Sequence, residues 1–573
     1  MLFSHFNFPT LDGTFFVKHI HMKTILTYAV FVGSLFIACN AQDSETSESS
    51  QEAKAKKNVS KREYSITKGN SYSDLFLDSA VVENFITQKN IPDSFARRIR
   101  SFYNTRNYQF AWFTSNGLTE QARGFWNLHD YHTTYNHDTL LHSKALQKTM
   151  DNITVEENLS VSGSSKNYIN TEITLTQHFI QYMLHEYADG YVKRKEMERF
   201  IPRKKEEAMY LADSLLTKKH KDDKYFEDIN ESYRALKDQL GRYYEIAKKG
   251  GWPFIDAAEK KKYKKGDSSV VIANIKKQLA LTGDMPAGDT SAFFTDTLVL
   301  GVKNFQKRFG YTADGIITAA LIKEMNVPAK KRVEQLLINM GRMRWMPNRP
   351  SGDFILVNIP EFVLHLYNDK QKVFDMNVVV GKEGHNTMMF TGDLNQVVFS
   401  PYWNVPPSIV KNEILPAIEK NPDYLASQNM EITGEEGGLP VVRQLPGPDN
   451  SLGKVKFLFP NSFNIYFHDT NAKSLFSKDK RAYSHGCIRL QEPVKMAEYL
   501  LRHQPEWTSE RIHEAMNSGE EKYVKLKDLI PVFITYYTAW VDETGQLNFR
   551  EDIYDHDAKL AAKMFPGAML ANR

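Results

Sequence analysis

Cys487 sits in the run SHGCIRL, and His468 closes the apolar stretch FNIYF upstream of it. A cysteine attacks carbonyls as thiolate, and an imidazole within hydrogen-bond reach can take the thiol proton. Fifteen residues separate His468 from Ser484, enough for a loop that brings the strand end and SHGC together. Gly486 allows a tight turn before the nucleophile, so the backbone N–H groups of Gly486 and Cys487 could form an oxyanion hole. Arg489 offers a planar fork suited to a carboxylate. The chemistry implied is acyl transfer through a thioester.

Cys487 is one of only two cysteines in 573 residues. The other, Cys39, ends the apolar run TILTYAVFVGSLFIAC that follows Met22 and Lys23. That run has the length of a signal-peptide h-region and is short for a membrane span. Its ending in a small residue plus cysteine resembles a bacterial lipoprotein signal. That resemblance implies a signal over 22–39, a start at Met22 and lipidation of Cys39. Ordinary cleavage near Ala41 is the alternative. Residues 40–70 are polar and read as a disordered tether. The expectation is an exported, periplasmic lipoprotein held to a membrane by its lipid, the outer membrane first. With Cys39 lipidated, Cys487 has no disulfide partner, so it is either a buried apolar residue or a reactive thiol.

Composition narrows the field. Lys+Arg number 73 against Asp+Glu 69, a balance that gives no reason to expect nucleic acid. The sequence holds no CxxC, HExxH or phosphate loop, and no cofactor is implied. A zinc site from His468, His485 and Cys487 lacks a fourth ligand and a recognisable spacing. His178, His185, His365 and His385 show no pattern and read as core or surface residues.

The elements that must position these residues follow from periodicity. Residues 71–262 are mainly helical, as in DSFARRIRSFYNTR and SYRALKDQLGRYYEIAKKGGW. The aromatics of YNTRNYQFAWF and LTQHFIQYMLHEY read as core. Residues 268–330 form a three-helix module with stops at Gly283 and Gly310. A linker helix is expected over 331–350. Residues 351–545 change to strand texture, with a hairpin turn at Asn368-Asp369. A polar insert at 407–450, read as helical, interrupts the strands and would cap the site. Strands resume in IPVFITYYTAWVD and QLNF, and residues 546–573 otherwise read as a C-terminal tail. The fold class is α+β and multidomain.

His468 followed by SHGCIR resembles the motif of the L,D-transpeptidases of bacterial cell walls. RMRWMP, YWNVPPSIVKNEILP, GPDNSLGKVKFLFPN and TAWVDETG resemble its large subclass, with a helical scaffold, a peptidoglycan-binding module and a capping flap. The module's own resemblance to peptidoglycan-binding domains rests on Phe305, Gln306, Gly310, Asp314, Gly315 and Ile316. The family implies attack by Cys487 on stem peptides, release of D-Ala and 3→3 cross-links, with His468 as base. It also implies that the Asp469 backbone carbonyl orients His468, that His485 helps shape the oxyanion site, with Ser484, Gly486 and Arg489 matching the motif, and that carbapenems acylate Cys487. Arg489, Tyr466 and Trp403 are candidate substrate contacts. Peptidoglycan stems and glycan are the expected partners. The alternatives are an L,D-carboxypeptidase, attachment of a protein to the wall, or a non-catalytic wall-binding lipoprotein.

Overall fold

The computed structural model describes residues 59–135, 141–156, 159–186, 200–217, 231–256, 262–347, 352–369 and 371–567. The expected signal segment, Cys39 and most of the tether lie outside the described residues. Among the described residues no helix is long and apolar enough to cross a membrane.

The protein is α+β. Its helical part begins earlier than composition suggests. Ile66 is buried, Glu63 N–H donates to the Asn104 carbonyl (2.9 Å) and Asn107 donates to the Ile66 carbonyl (2.8 Å). Residues 59–70 are therefore part of the scaffold and not a tether. One apolar residue and a few backbone bonds suffice to hold a polar segment down. Helices Asp93–Asn104, Glu120–Tyr135 and Lys166–Glu186 surround a core of Phe110, Trp112, Phe125 and Phe179. Within it Glu172 is buried, and its carboxylate accepts the N–H groups of Ala111 and Trp112. Burial pushes that carboxyl up to about 7.

Residues 262–326 hold three helices, each with a hydroxyl at its N-terminus. Ser269, Thr295 and Thr318 cap Val270–Thr282, Asp296–Arg308 and Ala319–Met325. Each such cap is worth about 1 kcal/mol. Gly283 ends the first helix at φ 77°, a left-handed value that glycine adopts freely.

Helix Ala329–Met343 lies in the span read as a linker, yet it is a hub. Val333, Leu336, Leu337, Ile338, Met340 and Met343 are all buried, covering more than one face. Just beyond its end, Trp345 enters the scaffold core and presses on Gly124, where a Cβ would meet the indole at 2.7 Å. Arg342 pairs with Glu120 of the scaffold and with Asp557 near the C-terminus.

The expected C-terminal tail is likewise structural. Leu547–Phe549 pairs with Ala539–Val541, and His556–Met564 is a helix. Phe549 is fully buried and stacks on Phe309 at 5.2 Å. Spaced apolar residues, among them Phe549, Tyr554, Leu560 and Phe565, anchor a segment that looks polar on average.

Among the described residues, the strand-rich part is built on a sheet of nine strands. They are β1 (Asp353–Asn358), β2 (Val363–Asn368), β3 (Gln371–Gly381), β4 (Phe390–Phe399) and β5 (Val455–Leu458), then β6 (Phe467–His468), β7 (Ala482–Ser484), β8 (Ile488–Leu490) and β9 (Lys522–Thr535). Their order is β7-β3-β8-β6-β5-β4-β9-β1-β2, and β2 also pairs with β3 through the hairpin at Asn368-Asp369. That second pairing closes the sheet on itself and leaves few free edges. Phe467, Ile488, Val397 and Phe457 fill its interior.

The insert is helical in its first part, as expected, and adds a hairpin in its second. A continuous helical run through Pro407–Ile409, Val410–Ile414 and Leu415–Lys420 precedes a hairpin of Met430–Glu436 and Leu439–Gln444. Gly437 and Gly438 both take positive φ at its turn, which a Gly-Gly pair permits. The insert has its own small core of Val405, Ile409, Val410, Ile414 and Val442.

Candidate active site

Strand register decides which side chains meet. β6 and β8 run parallel, with Phe467 opposite Ile488 and His468 opposite Arg489. The Ile488 N–H donates to the Tyr466 carbonyl (3.1 Å), which carries the pairing back to Cys487. Side chains alternate across a strand, so Phe467 and Ile488 point into the core. Tyr466, His468, Cys487 and Arg489 then share the opposite face.

His468 is 4% exposed, and its Nδ1 lies 2.5 Å from the Asp469 carbonyl. A carbonyl only accepts, so Nδ1 carries the proton and Nε2 keeps a lone pair. Burial, helped by the Arg489 charge, holds the imidazole down to about 3. Cys487 is half-buried and unpaired. Burial pushes its thiol up to about 11, against hydrogen bonds from Tyr466 that favour the thiolate. The thiol donates to the Asn464 carbonyl at 3.7 Å. Thiol and imidazole are both neutral at rest.

The SHGC turn is braced from below. Ser484 Oγ donates to the Cys487 carbonyl (2.5 Å) and accepts the Gly486 N–H (3.1 Å). The Gly486 N–H, expected to face an oxyanion, is therefore taken by the serine that shapes the turn. Gly486 stands at φ 111°, which only glycine adopts readily. Thr387 Oγ1 donates to the Gly486 carbonyl (2.7 Å) and accepts the Gly381 N–H (2.9 Å). Tyr554 completes the chain by donating to the Gly381 carbonyl (2.5 Å). Sequence reading singled out neither Thr387 nor Tyr554, and no local pattern marks them.

His485 points away from the core. Its Nε2 pairs with Glu413 of the insert at 2.9 Å, and its ring lies 4.7 Å from that of His385. Glu413 is carried on the π-turn Val410–Ile414, a wide turn common near functional sites. Arg489 Nε is buried with no hydrogen-bond partner. Trp403 pairs with Gln444 and packs on the insert core, so it belongs to the cover. Among the described residues no cluster of His, Cys, Asp and Glu could hold a metal.

Residues 352–520 match the L,D-transpeptidase catalytic domain, and residues 97–240 match the Scaffold domain. The chain carries an L,D-transpeptidase catalytic domain with a scaffold domain. A Haemophilus influenzae protein named "Putative L,D-transpeptidase" is 31% identical over 255 residues, 41% of this chain and 51% of that relative. The match thus spans about half the length of that relative. An L,D-transpeptidase from Stackebrandtia nassauensis shares 14% identity, covering 49% of this chain and 96% of its own, with TM-score 0.21. One from Mycobacterium smegmatis shares 13% identity, covering 33% and 60%, with TM-score 0.19.

Proposed function

We propose that the protein is a peptidoglycan L,D-transpeptidase working through Cys487. The observation that carries this reading is the β6/β8 register, which puts Cys487, Tyr466, His468 and Arg489 on one face. His468 Nε2 takes the thiol proton as Sγ bonds to the carbonyl carbon between stem residues three and four. The proton passes to the departing amine, the C–N bond breaks, D-Ala leaves and a thioester remains. A side-chain amine of a second stem then attacks, returns the sulfur to thiol and forms a 3→3 cross-link.

Because both groups rest neutral, the proton moves during attack and no ion pair exists beforehand. Tyr466 hydrogen-bonds the sulfur and steadies the charge that develops there. Arg489 supplies a cation for a substrate carboxylate. The insert covers the cleft through Glu413 and His485, and carbapenems acylate the same sulfur. Export and lipidation at Cys39 place the enzyme on the periplasmic side of a membrane, beside its substrate.

The test is mass spectrometry of tetrapeptide stems incubated with wild type and Cys487→Ala. Dimer formation with D-Ala loss, absent in the variant, supports the reading. Tripeptide without dimer indicates a carboxypeptidase, and no turnover by either protein refutes it.

A further inference from the structure

Resting on His468 as the base of that reaction, we infer that the Asp469 carboxylate is a positioning group for the imidazole, held by a cradle over residues 450–454. The imidazole Nδ1 donates to the Asp469 carbonyl, the contact that fixes its tautomer. This carbonyl belongs to the peptide group that joins Asp469 to Thr470. The N–H of the same peptide group, on Thr470, donates to Asp469 Oδ1 (2.7 Å). One peptide plane is thus gripped at both ends, by the imidazole at its oxygen and by the aspartate side chain at its nitrogen. The plane before it is tied as well, since Asp469 N–H donates to the Val455 carbonyl (2.9 Å).

The carboxylate is fixed in turn. Oδ2 accepts the Lys454 N–H (3.0 Å), and Oδ1 also pairs with Lys473 at 2.6 Å. Asp469 is buried, whereas the Lys473 side chain is half-exposed. Gly453 lies directly against it at φ 63°. A Cβ there would sit 2.4 Å from Oδ2 and 2.5 Å from the carboxylate carbon. No other residue fits without moving the carboxylate.

The loop that presents Gly453 and Lys454 is organised by buried Asn450. Its Nδ2 donates to the Pro401 and Leu445 carbonyls (3.0 and 2.9 Å), and its Oδ1 accepts the Leu452 N–H (2.8 Å). Its carbonyl accepts the Gly453 N–H (2.8 Å). The Leu452 carbonyl also approaches the imidazole. The phrase DNSLGK thus acts on catalysis through another residue. Asn450 sets the loop, Gly453 makes room, Lys454 anchors the carboxylate, and the carboxylate aims the carbonyl that fixes His468. Loss of the carboxylate frees the 469–470 plane, and Nδ1 loses its fixed acceptor. The neutral ring then divides between tautomers, and the form with its proton on Nε2 cannot take one from the thiol.

The test uses residues 59–573 with 15N-labelled histidine, comparing wild type, Asp469→Asn and Lys473→Met. His468→Gln assigns the ring signals. Long-range proton–nitrogen correlation reports which ring nitrogen of His468 carries the proton. Carbapenem acylation, followed by intact mass, reports the reaction. Asp469→Asn keeps an acceptor for Thr470 but presents an NH2 to the Lys454 N–H. We expect a mixed tautomer and acylation slowed about 10- to 100-fold, the range typical of lost orienting partners, with an unchanged melting temperature. Lys473→Met, which removes only the outer ion pair, should leave both readouts within about twofold. An unchanged Nδ1–H signal in Asp469→Asn overturns the inference, whatever the acylation rate. Wild type with pure Nδ1–H that forms no adduct refutes the proposed function and leaves the inference standing.

Discussion

The neutral resting pair at Cys487 and His468 makes a quantitative prediction about thiol reactivity. Burial raises the thiol from an ordinary value near 9 to about 11. At pH 7 the thiolate fraction is then on the order of 10⁻⁴, against about 10⁻² for an unburied thiol. A more basic thiolate is also the better nucleophile, recovering roughly 8-fold over two units at a Brønsted slope near 0.45. The net expectation is alkylation about tenfold slower than in the same protein unfolded in urea. The rate should also climb by about a decade per pH unit from pH 7 to pH 10. Iodoacetamide is a suitable probe because it brings no base and no anchoring charge. Its adduct at Cys487 is counted by intact mass on residues 59–573, which leave out Cys39. Carbapenem acylation should be much flatter over the same range, because His468 takes the proton during attack. Tyr466→Phe should slow alkylation further, since the lost hydrogen bond favours the thiolate. An iodoacetamide profile that levels off below pH 8 refutes this reasoning and indicates a preformed thiolate–imidazolium pair.

Other consequences can be measured independently. Burial holds His129 down to about 3, beside His178 at 3.1 Å. Its folded value is depressed, so the unfolded chain binds a proton that the fold refuses between pH 6.5 and about 3. Stability is therefore lost as pH falls through that window, by about 1.4 kcal/mol per unit from this group. His129→Gln should flatten the acid limb of urea midpoints between pH 6.5 and 4.5, and an unchanged slope would reject the assignment. Arg342→Met strands Glu120 and Asp557 without a countercharge and should cost about 3–5 kcal/mol in urea unfolding. Gly381→Ala places a Cβ 2.0 Å from the His385 carbonyl, against backbone that cannot yield cheaply. It should abolish carbapenem adducts while far-ultraviolet circular dichroism stays native. Glu413→Gln weakens the tie between insert and His485. Amide exchange over 405–445 should rise, and no change there would argue against a closed cover.

How much of this was legible in the sequence depended on whether the governing interaction was local. The glycine of the SHGC turn could be read because its requirement is local: a tight backbone directly before the cysteine, seen as φ 111°. The hairpin at Asn368-Asp369 could be read for the same reason. The pairing of His468 with the Cys487 strand was foreseeable from loop length, but its register was not. A slip of one residue would have turned His468 into the core in place of Phe467. The tail reading failed because few of the anchoring residues between 546 and 567 are adjacent, and their partners, such as Phe309, lie far away in sequence. The same blindness hid Thr387 and Tyr554. Each is an ordinary residue whose function exists only because chain closure brings Gly381, Gly486 and the C-terminal segment together. Gly437-Gly438 did carry a local hairpin signal, and the apolar helical turns before it masked the change of period. DNSLGK is the instructive intermediate. Its resemblance was visible as a phrase, yet its glycine acquires a reason only when Asp469 is seen occupying the space a side chain would need. A motif read from sequence names residues that touch the reaction, whereas the groups that aim those residues are specified by contacts that only the folded chain creates.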